Sequence, residues 1–231
     1  MKVSAIVTVL FMLMTGAALA GDLPSSDEIS TGKGTLKIYP IEHATFVMEW
    51  NGAKIVVDPV GGAEAFVDHP KADLVLITDI HGDHLSVDTV ESLLQPKTAI
   101  VAPPAVVEAF PEGARTGIHV IANGESTECE GVVIEAVPMY NLDPEKQRFH
   151  PEGRGNGYVL TYGEKRVYIA GDTEDIPEMR SLENIDVAFV CMNLPYTMNV
   201  EAAADAVLEF KPRVVYPYHY RGKGGMSDLD R

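Results

Sequence analysis

The chain has 231 residues, 46% apolar and 23% charged, which is enough to bury the core of one large domain and too apolar for a disordered polypeptide. Its 34 acidic residues against 18 Lys and Arg give a formal charge of −16, which repels a phosphate backbone and excludes nucleic acid as the expected partner. The acidic side chains are spread along the chain without a long run and describe a solvated surface.

Residues 1–20 read as a secretory signal: Lys2 precedes the apolar stretch "VSAIVTVLFMLMTGAA", and "ALA" before Gly21 matches a small-residue cleavage site. An uncleaved membrane anchor is the competing reading, and the small-residue ending favours cleavage; no later segment is long and apolar enough to cross a membrane, so no stable insertion is expected afterwards. The expected location is the periplasm or the exterior, where disulfides persist. Whether Cys129 and Cys191 pair is open, since Cys191 at the end of "DVAFVC" equally suits a buried thiol. Residues 21–34, "GDLPSSDEISTGKG", read as a mobile leader, and residues 35–231 as one mixed α/β domain with no break in composition.

Within that domain "LKIYPI" is a strand leading to His43, and "ATFVMEW" and "AKIVVDPV" flank Asn51-Gly52, the strongest short hairpin signal. Trp50 at that turn is expected to pack. "ADLVLITD" is a buried strand, Asp88 with Glu91 resembles a capping box, and "TVESLLQ" is a short helix ended by Pro96. There follow strand "TAIVAP", helix "AVVEAF", strand "VVIEAV", hairpin "YVLTYGEKRVYIAG", strand "DVAFVC", helix "VEAAADAVLEF" capped by Asn199, and strand "RVVYPYH".

Four strand ends run into loops carrying acidic or imidazole groups: "TDIHGDH", "FHPEG", "AGDT" and "YPYHY". A scaffold strand holds such residues rigid while the loop opens them to solvent. In the first, Gly82 is expected to let the backbone turn tightly so that Asp79, His81, Asp83 and His84 converge on two neighbouring ions, Asp79 and His81 facing one and Asp83 and His84 the other. Carboxylates with neutral imidazoles suit Zn²⁺, Mn²⁺ or Fe²⁺ rather than Ca²⁺.

These motifs resemble the metallo-β-lactamase superfamily. "TDIHGDH" is similar to its H-x-H-x-D-H signature, with Asp79 at the position of the first histidine. "YIAGDT" resembles the strand whose aspartate bridges two metals, here Asp172, and "YPYHY" the late strand whose histidine completes the second site, here His219. "IEHATFVMEWNGAKIVVDP" and "LPYTMNVEAA" resemble the branch holding L-ascorbate-6-phosphate lactonase-like and related metal-dependent hydrolases. The resemblance implies a four-layer αββα sandwich, two divalent ions (Zn²⁺ or Mn²⁺, with Fe²⁺ also suited), and hydrolysis of a small molecule by metal-activated water, with Asp83 and Asp172 as the catalytic carboxylates. A lactone or other small ester is the expected substrate, a small-molecule phosphodiester the next. A non-catalytic metal- or ligand-binding protein on the same scaffold is the alternative from another class.

The chain departs from the pattern in three places. Asp79 puts an anion where relatives have a neutral ligand and should favour harder metals such as Mn²⁺. The mid-chain histidine of most relatives is replaced by Met139, Tyr140 and Asn141; His150, nine residues on, is the candidate ligand or a group behind the ligands. The chain stops at Arg231 where Ser227 could cap a further helix, so either it is trimmed or a terminal layer is missing. Around the site, His43 and Arg154 are candidate substrate contacts, Arg154 as the nearby cation for an anionic substrate, with the glycines of "GRGNG" serving a turn. Tyr140 and Tyr196 are candidate donors to an oxyanion, with core packing the competing reading. Asp58 should buttress the metal loop, and His69 and His119 are expected at the surface.

Overall fold

The structure is a computed structural model describing residues 8–9, 26–31 and 34–229. The expected signal therefore lies outside the described residues apart from Thr8–Val9 (β1), which pair in parallel with Val214–Val215.

One sheet begins with Asp27–Ser30 (β2), Thr35–Glu42 (β3), Thr45–Trp50 (β4) and Ala53–Val57 (β5), an antiparallel meander. It continues in parallel through Leu74–Leu76 (β6), Ala99–Ala102 (β7) and Ile118–Val120 (β8). β2 corrects the reading of residues 21–34 as leader throughout, because Asp27–Ser30 hydrogen-bonds against Thr35–Ile38 as an edge strand. The turn between β4 and β5 is Asn51-Gly52, both at positive φ (54° and 82°), the left-handed pair that matches the strand twist.

The second sheet repeats the plan: Ser126–Cys129 (β9), Val132–Met139 (β10), Gly155–Tyr162 (β11) and Lys165–Ile169 (β12) are antiparallel. Val187–Cys191 (β13) and Val214–Tyr218 (β14) follow in parallel. A small hairpin of Arg221–Gly222 (β15) and Gly225–Met226 (β16) comes last among the described residues. Ser227 caps no helix there; its hydroxyl donates to the carbonyl of Met192.

Strand alternation sorts the side chains into layers. In β4 to β7, Phe46, Met48, Trp50, Ile55, Val57, Leu74, Leu76 and Val101 face the second sheet, while Val47, Val56, Val75, Ile100 and Ala102 face outward. The outward set is covered by helices Val87–Leu93 (α1) and Pro104–Ala109 (α2), through Val90, Leu93 and Val106. The second sheet is covered by Pro177–Arg180 (α3) and Val200–Phe210 (α4), with Phe210 edge-on to Tyr168 of β12. The layers run helix, sheet, sheet, helix, the αββα order the resemblance implied. The cap of α1 differs from expectation. Ser86, rather than Asp88, is the N-cap, its hydroxyl accepting from the Thr89 amide at 3.3 Å, and Asp88 sits in the first turn. Asn199 caps α4 as expected, accepting from the Ala202 amide at 2.8 Å.

Phe189 of β13 joins the two sheets, stacked on Phe46 with ring centroids 4.2 Å apart and on Tyr216 at 5.2 Å. Phe189→Ala is expected to cost about 3–5 kcal/mol of stability, read from urea denaturation, because the rigid sheets cannot collapse into the gap. Trp50 is buried between the same sheets, as expected. Cys129 and Cys191 are both free and buried; burial pushes the Cys191 thiol up beyond the reach of physiological ionisation. His69 is buried rather than at the surface, its ring 4.4 Å from that of Tyr39, while His119 is exposed.

Candidate metal centre

The parallel strands of both sheets end at one rim, where β6, β12 and β14 deliver Asp79, Asp172 and His219. The loop after β6 closes through backbone bonds from His84 and Leu85 to the carbonyl of His81, both 2.9 Å. Gly82 is not what permits that turn: it lacks a positive φ, and a Cβ there would meet nothing within 4 Å. Glycine matters instead at Gly155, where a Cβ would lie 2.8 Å from the Thr78 carbonyl. Without a side chain, β11 runs against the metal loop, with the Asn156 amide donating to Thr78 at 3.0 Å, and carries the preceding Arg154 up to Asp79.

Two clusters result, Asp79–His81–His150 and Asp83–His84–His219. They divide the loop's four residues as its sequence suggested and draw in one distant histidine each. Asp172 lies between them: its Oδ2 is 3.2 Å from His150 Nε2 and 3.4 Å from His84 Nε2, and its Oδ1 is 3.4 Å from His219 Nε2. His150 is buried with Nε2 toward the centre, 3.2 Å from Asp172 Oδ2, which brings it together with Asp79 and His81. Asp83 is 3.3 Å from His219 and keeps 45% of its side chain exposed, while Asp172 and the histidines around it are buried.

Burial alone would raise the Asp172 carboxyl, but the charges of His219 and His84 and the hydrogen bonds from His150 and His219 hold it well below the usual carboxylate range. Asp83 is held low in the same way, against its own burial, by His219 and His84. Burial opposes charge on His219, yet Asp172 and Asp83 lift it to about 9. Carboxylates and imidazoles in this centre thus stabilise one another's charged forms. His84 Nε2 and Asp172 Oδ1 are buried and make no well-formed hydrogen bond among the described residues. Unsatisfied imidazole and carboxylate atoms converging from both sheets are the donor set of a borderline divalent ion, so these residues fit one.

Asp58 supports this centre. Its Oδ1 accepts from the Thr78 amide at 2.7 Å, and its Oδ2 accepts from the Thr78 hydroxyl at 2.7 Å and from His84 Nδ1 at 2.8 Å. Thr78 is one residue missed from sequence; a hydroxyl closing a strand before an acidic loop is its only signal. Asn193 was missed as well. Its Nδ2 donates to Asp172 Oδ2 at 3.3 Å, and it sits just past β13 at the same rim as the ends of β6, β12 and β14; "FHPEG", expected at a strand end, lies instead in the turns between β10 and β11. His43, Asp58 and His219 all have left-handed backbones, with φ of 45°, 46° and 44°, a cost of about 1 kcal/mol or more each that the surrounding fold imposes at this rim.

The outer candidates fall differently. His43 faces the rim: its carbonyl accepts from the His219 amide at 3.2 Å and its ring contacts Arg221 and lies edge-on to His219. Arg154 does not point to open solvent; it forks onto Asp79, Nε to Oδ1 at 3.0 Å and Nη2 to Oδ2 at 2.8 Å. Tyr140, read either as an oxyanion donor or as a packing residue, donates its hydroxyl to Glu178 of α3 at 3.2 Å. Tyr196 packs edge-on against Phe149 and offers its backbone carbonyl to Asn141.

Comparison with known proteins places this arrangement. A family profile described as "Beta-lactamase superfamily domain" matches residues 37–219. A UPF0173 metal-dependent hydrolase of Pyrococcus abyssi is 32% identical over 194 residues, covering 80% of this chain and 84% of that protein. Among solved structures, a chain from Parabacteroides distasonis described as a metal-dependent hydrolase superposes with a TM-score of 0.78 at 40% identity, over 85% of this chain and 88% of that one. A metallo hydrolase from Ignicoccus hospitalis superposes with a TM-score of 0.65 at 26% identity, over 80% and 82%.

Proposed function

We propose, for a chain that belongs to the beta-lactamase superfamily, that it is a metal-dependent hydrolase of small molecules, using two divalent ions, Zn²⁺ or Mn²⁺, one at each cluster. The observation that carries this reading is Asp172 set between two Asp–His clusters, with buried ligand atoms left unsatisfied on both sheets' rim. Asp79, His81 and His150 would hold one ion and Asp83, His84 and His219 the other, with Asp172 shared. When bound, such ions polarise the bond under attack and lower the pKa of water toward neutrality.

The chain's own groups do the remaining work. Asp58 accepts a hydrogen bond from His84 Nδ1–H, which leaves Nε2 free to face the centre. Asn193 orients Asp172 by donating to Oδ2. Asp83, the solvent-facing carboxylate, is placed to accept a proton and direct a nucleophile. His43 with Arg221 offers donors at the mouth for an anionic group on the substrate. A lactone or other small ester is the substrate class we favour, supported by the resemblance of "IEHATFVMEWNGAKIVVDP" and "LPYTMNVEAA" to the lactonase-like branch.

The test is a panel of lactones, esters and small phosphodiesters assayed on chelator-stripped protein with Mn²⁺ or Zn²⁺ returned. We expect hydrolysis of an ester or lactone that chelation abolishes and metal restores. Tight metal binding with no turnover on any member would favour the non-catalytic binding protein instead. We further propose export to the periplasm or exterior, supported by the sequence of residues 1–20. N-terminal sequencing of the chain expressed in a bacterial host should begin near Gly21, and an intact Met1 in the cytoplasm would defeat that reading.

A further inference from the structure

We infer that the two clusters bind metal unequally, and that Arg154 is the positioning residue responsible, its guanidinium acting as a built-in competitor for the cation at Asp79–His81–His150. The inference rests on the reading of both clusters as metal sites.

Three observations carry it. Asp79 is fully buried and both its oxygens are taken: Arg154 Nε donates to Oδ1 at 3.0 Å, and Arg154 Nη2 at 2.8 Å and His81 Nδ1 at 2.8 Å converge on Oδ2. His81 is bracketed as well, since Arg154 Nη2 lies 3.4 Å from its Nε2, so each ring nitrogen already has a partner. The guanidinium is pinned in place by a further bond from Nη2 to the Phe149 carbonyl. A metal ion entering this cluster has to displace the Asp79–His81 contact and come to rest beside a fixed positive charge.

The other cluster is arranged in the opposite sense. His84 Nε2 has only the 3.4 Å approach of Asp172 Oδ2, His219 Nε2 lies 3.3 Å from both Asp83 Oδ2 and Asn193 Nδ2, and no lysine or arginine is hydrogen-bonded or ion-paired to Asp83, His84 or His219 among the described residues. Arg221 stops at His43. With the imidazoles neutral, as ligation of a metal requires, Asp79 and Arg154 sum to zero charge, whereas Asp83 keeps its full negative charge; Asp172 is common to both. A divalent ion therefore meets the more negative ligand set, one with no fixed cation beside it, at Asp83–His84–His219 and fills it first. Arg154 also offsets the extra anion at Asp79, which returns the first cluster to the charge that a histidine there would have.

Calorimetry of chelator-stripped full-length protein with Mn²⁺ alone tests this, with melting curves confirming that each variant is folded. The parent should show one tight site and one at least about tenfold weaker, and Arg154→Gln should tighten the weaker site by about tenfold or more while leaving the tight one unchanged. Arg154→Lys, which keeps the charge without the fork, should fall between the two. His84→Ala should abolish the tight site and spare the weak one, which assigns them. Two equal sites in the parent, or a weaker site that is unchanged or lost in folded Arg154→Gln, would overturn the role of Arg154 with the metal reading intact. A parent that takes up no divalent ion would instead overturn the metal reading itself, and this inference with it.

Discussion

Asp172→Asn is expected to lower kcat/KM by about a thousandfold or more, roughly 4 kcal/mol of transition-state stabilisation, on whichever substrate the parent hydrolyses. The substitution is nearly isosteric, so packing between the strands is preserved, but it removes a carboxylate that touches both clusters: His150 and His84 through Oδ2, His219 through Oδ1. An amide can present one oxygen, not two. The other position becomes an N–H donor facing imidazole nitrogens, so one cluster loses its shared ligand whichever way the amide is turned. Steady-state kinetics beside elemental analysis checks this. Unchanged turnover with unchanged metal content would rule out a central role for Asp172.

The second large effect is expected at Asp58, which is fully buried and belongs to neither cluster. Asp58→Asn can still accept from the Thr78 amide, so the chain should fold. Its new N–H group, however, faces His84 Nδ1 at the position where a carboxylate oxygen now accepts, 2.8 Å away. His84 can meet a donor only by accepting at Nδ1, which moves its proton to Nε2, the atom aimed at Asp172. Metal affinity or activity should fall by about 10–100-fold, the usual consequence of losing the partner behind a ligating histidine. Asp58→Ala should do this and also destabilise the fold by about 3–5 kcal/mol, because it leaves Thr78 and His84 without their buried acceptor. Metal-binding isotherms with urea melts separate the two variants. Parent-like affinity in Asp58→Asn would show that the tautomer of His84 is set elsewhere.

Much of this centre was legible in the sequence, for a local reason. Asp79, His81, Asp83 and His84 lie within six consecutive residues after a buried strand, and their spacing divides them between two clusters without help from the rest of the chain. Asp172 and His219 were singled out by resemblance, and the structure brings both to the same rim at strand ends. Asp58 was recognisable as a strand-end aspartate, although its partner could not be specified. Where reading by residue type failed, a contact across the fold had changed a residue's role. Tyr140 is taken by Glu178, His69 lies beneath Tyr39, and Ser86 outcompetes Asp88 for the helix start because its hydroxyl reaches the Thr89 amide. β9 escaped notice because it is short and half exposed, joined to β10 by Glu130-Gly131, whose positive φ values mark a turn that Glu does not advertise.

The order of residues by itself determined the alternation that sorts β4 to β7 into two faces, the Asn51-Gly52 hairpin, and the six-residue run of aspartates and histidines. Each of these is set by side chains a few positions apart, whose relative direction follows from the strand or turn they occupy. Only the tertiary structure decided that Asp58 holds His84 from 26 residues away, that Asn193 orients Asp172 from 21, and that Arg154 neutralises Asp79 from 75. Those distances along the chain collapse because two sheets end at one rim, and because Gly155 has no side chain to keep β11 from the backbone of the metal loop.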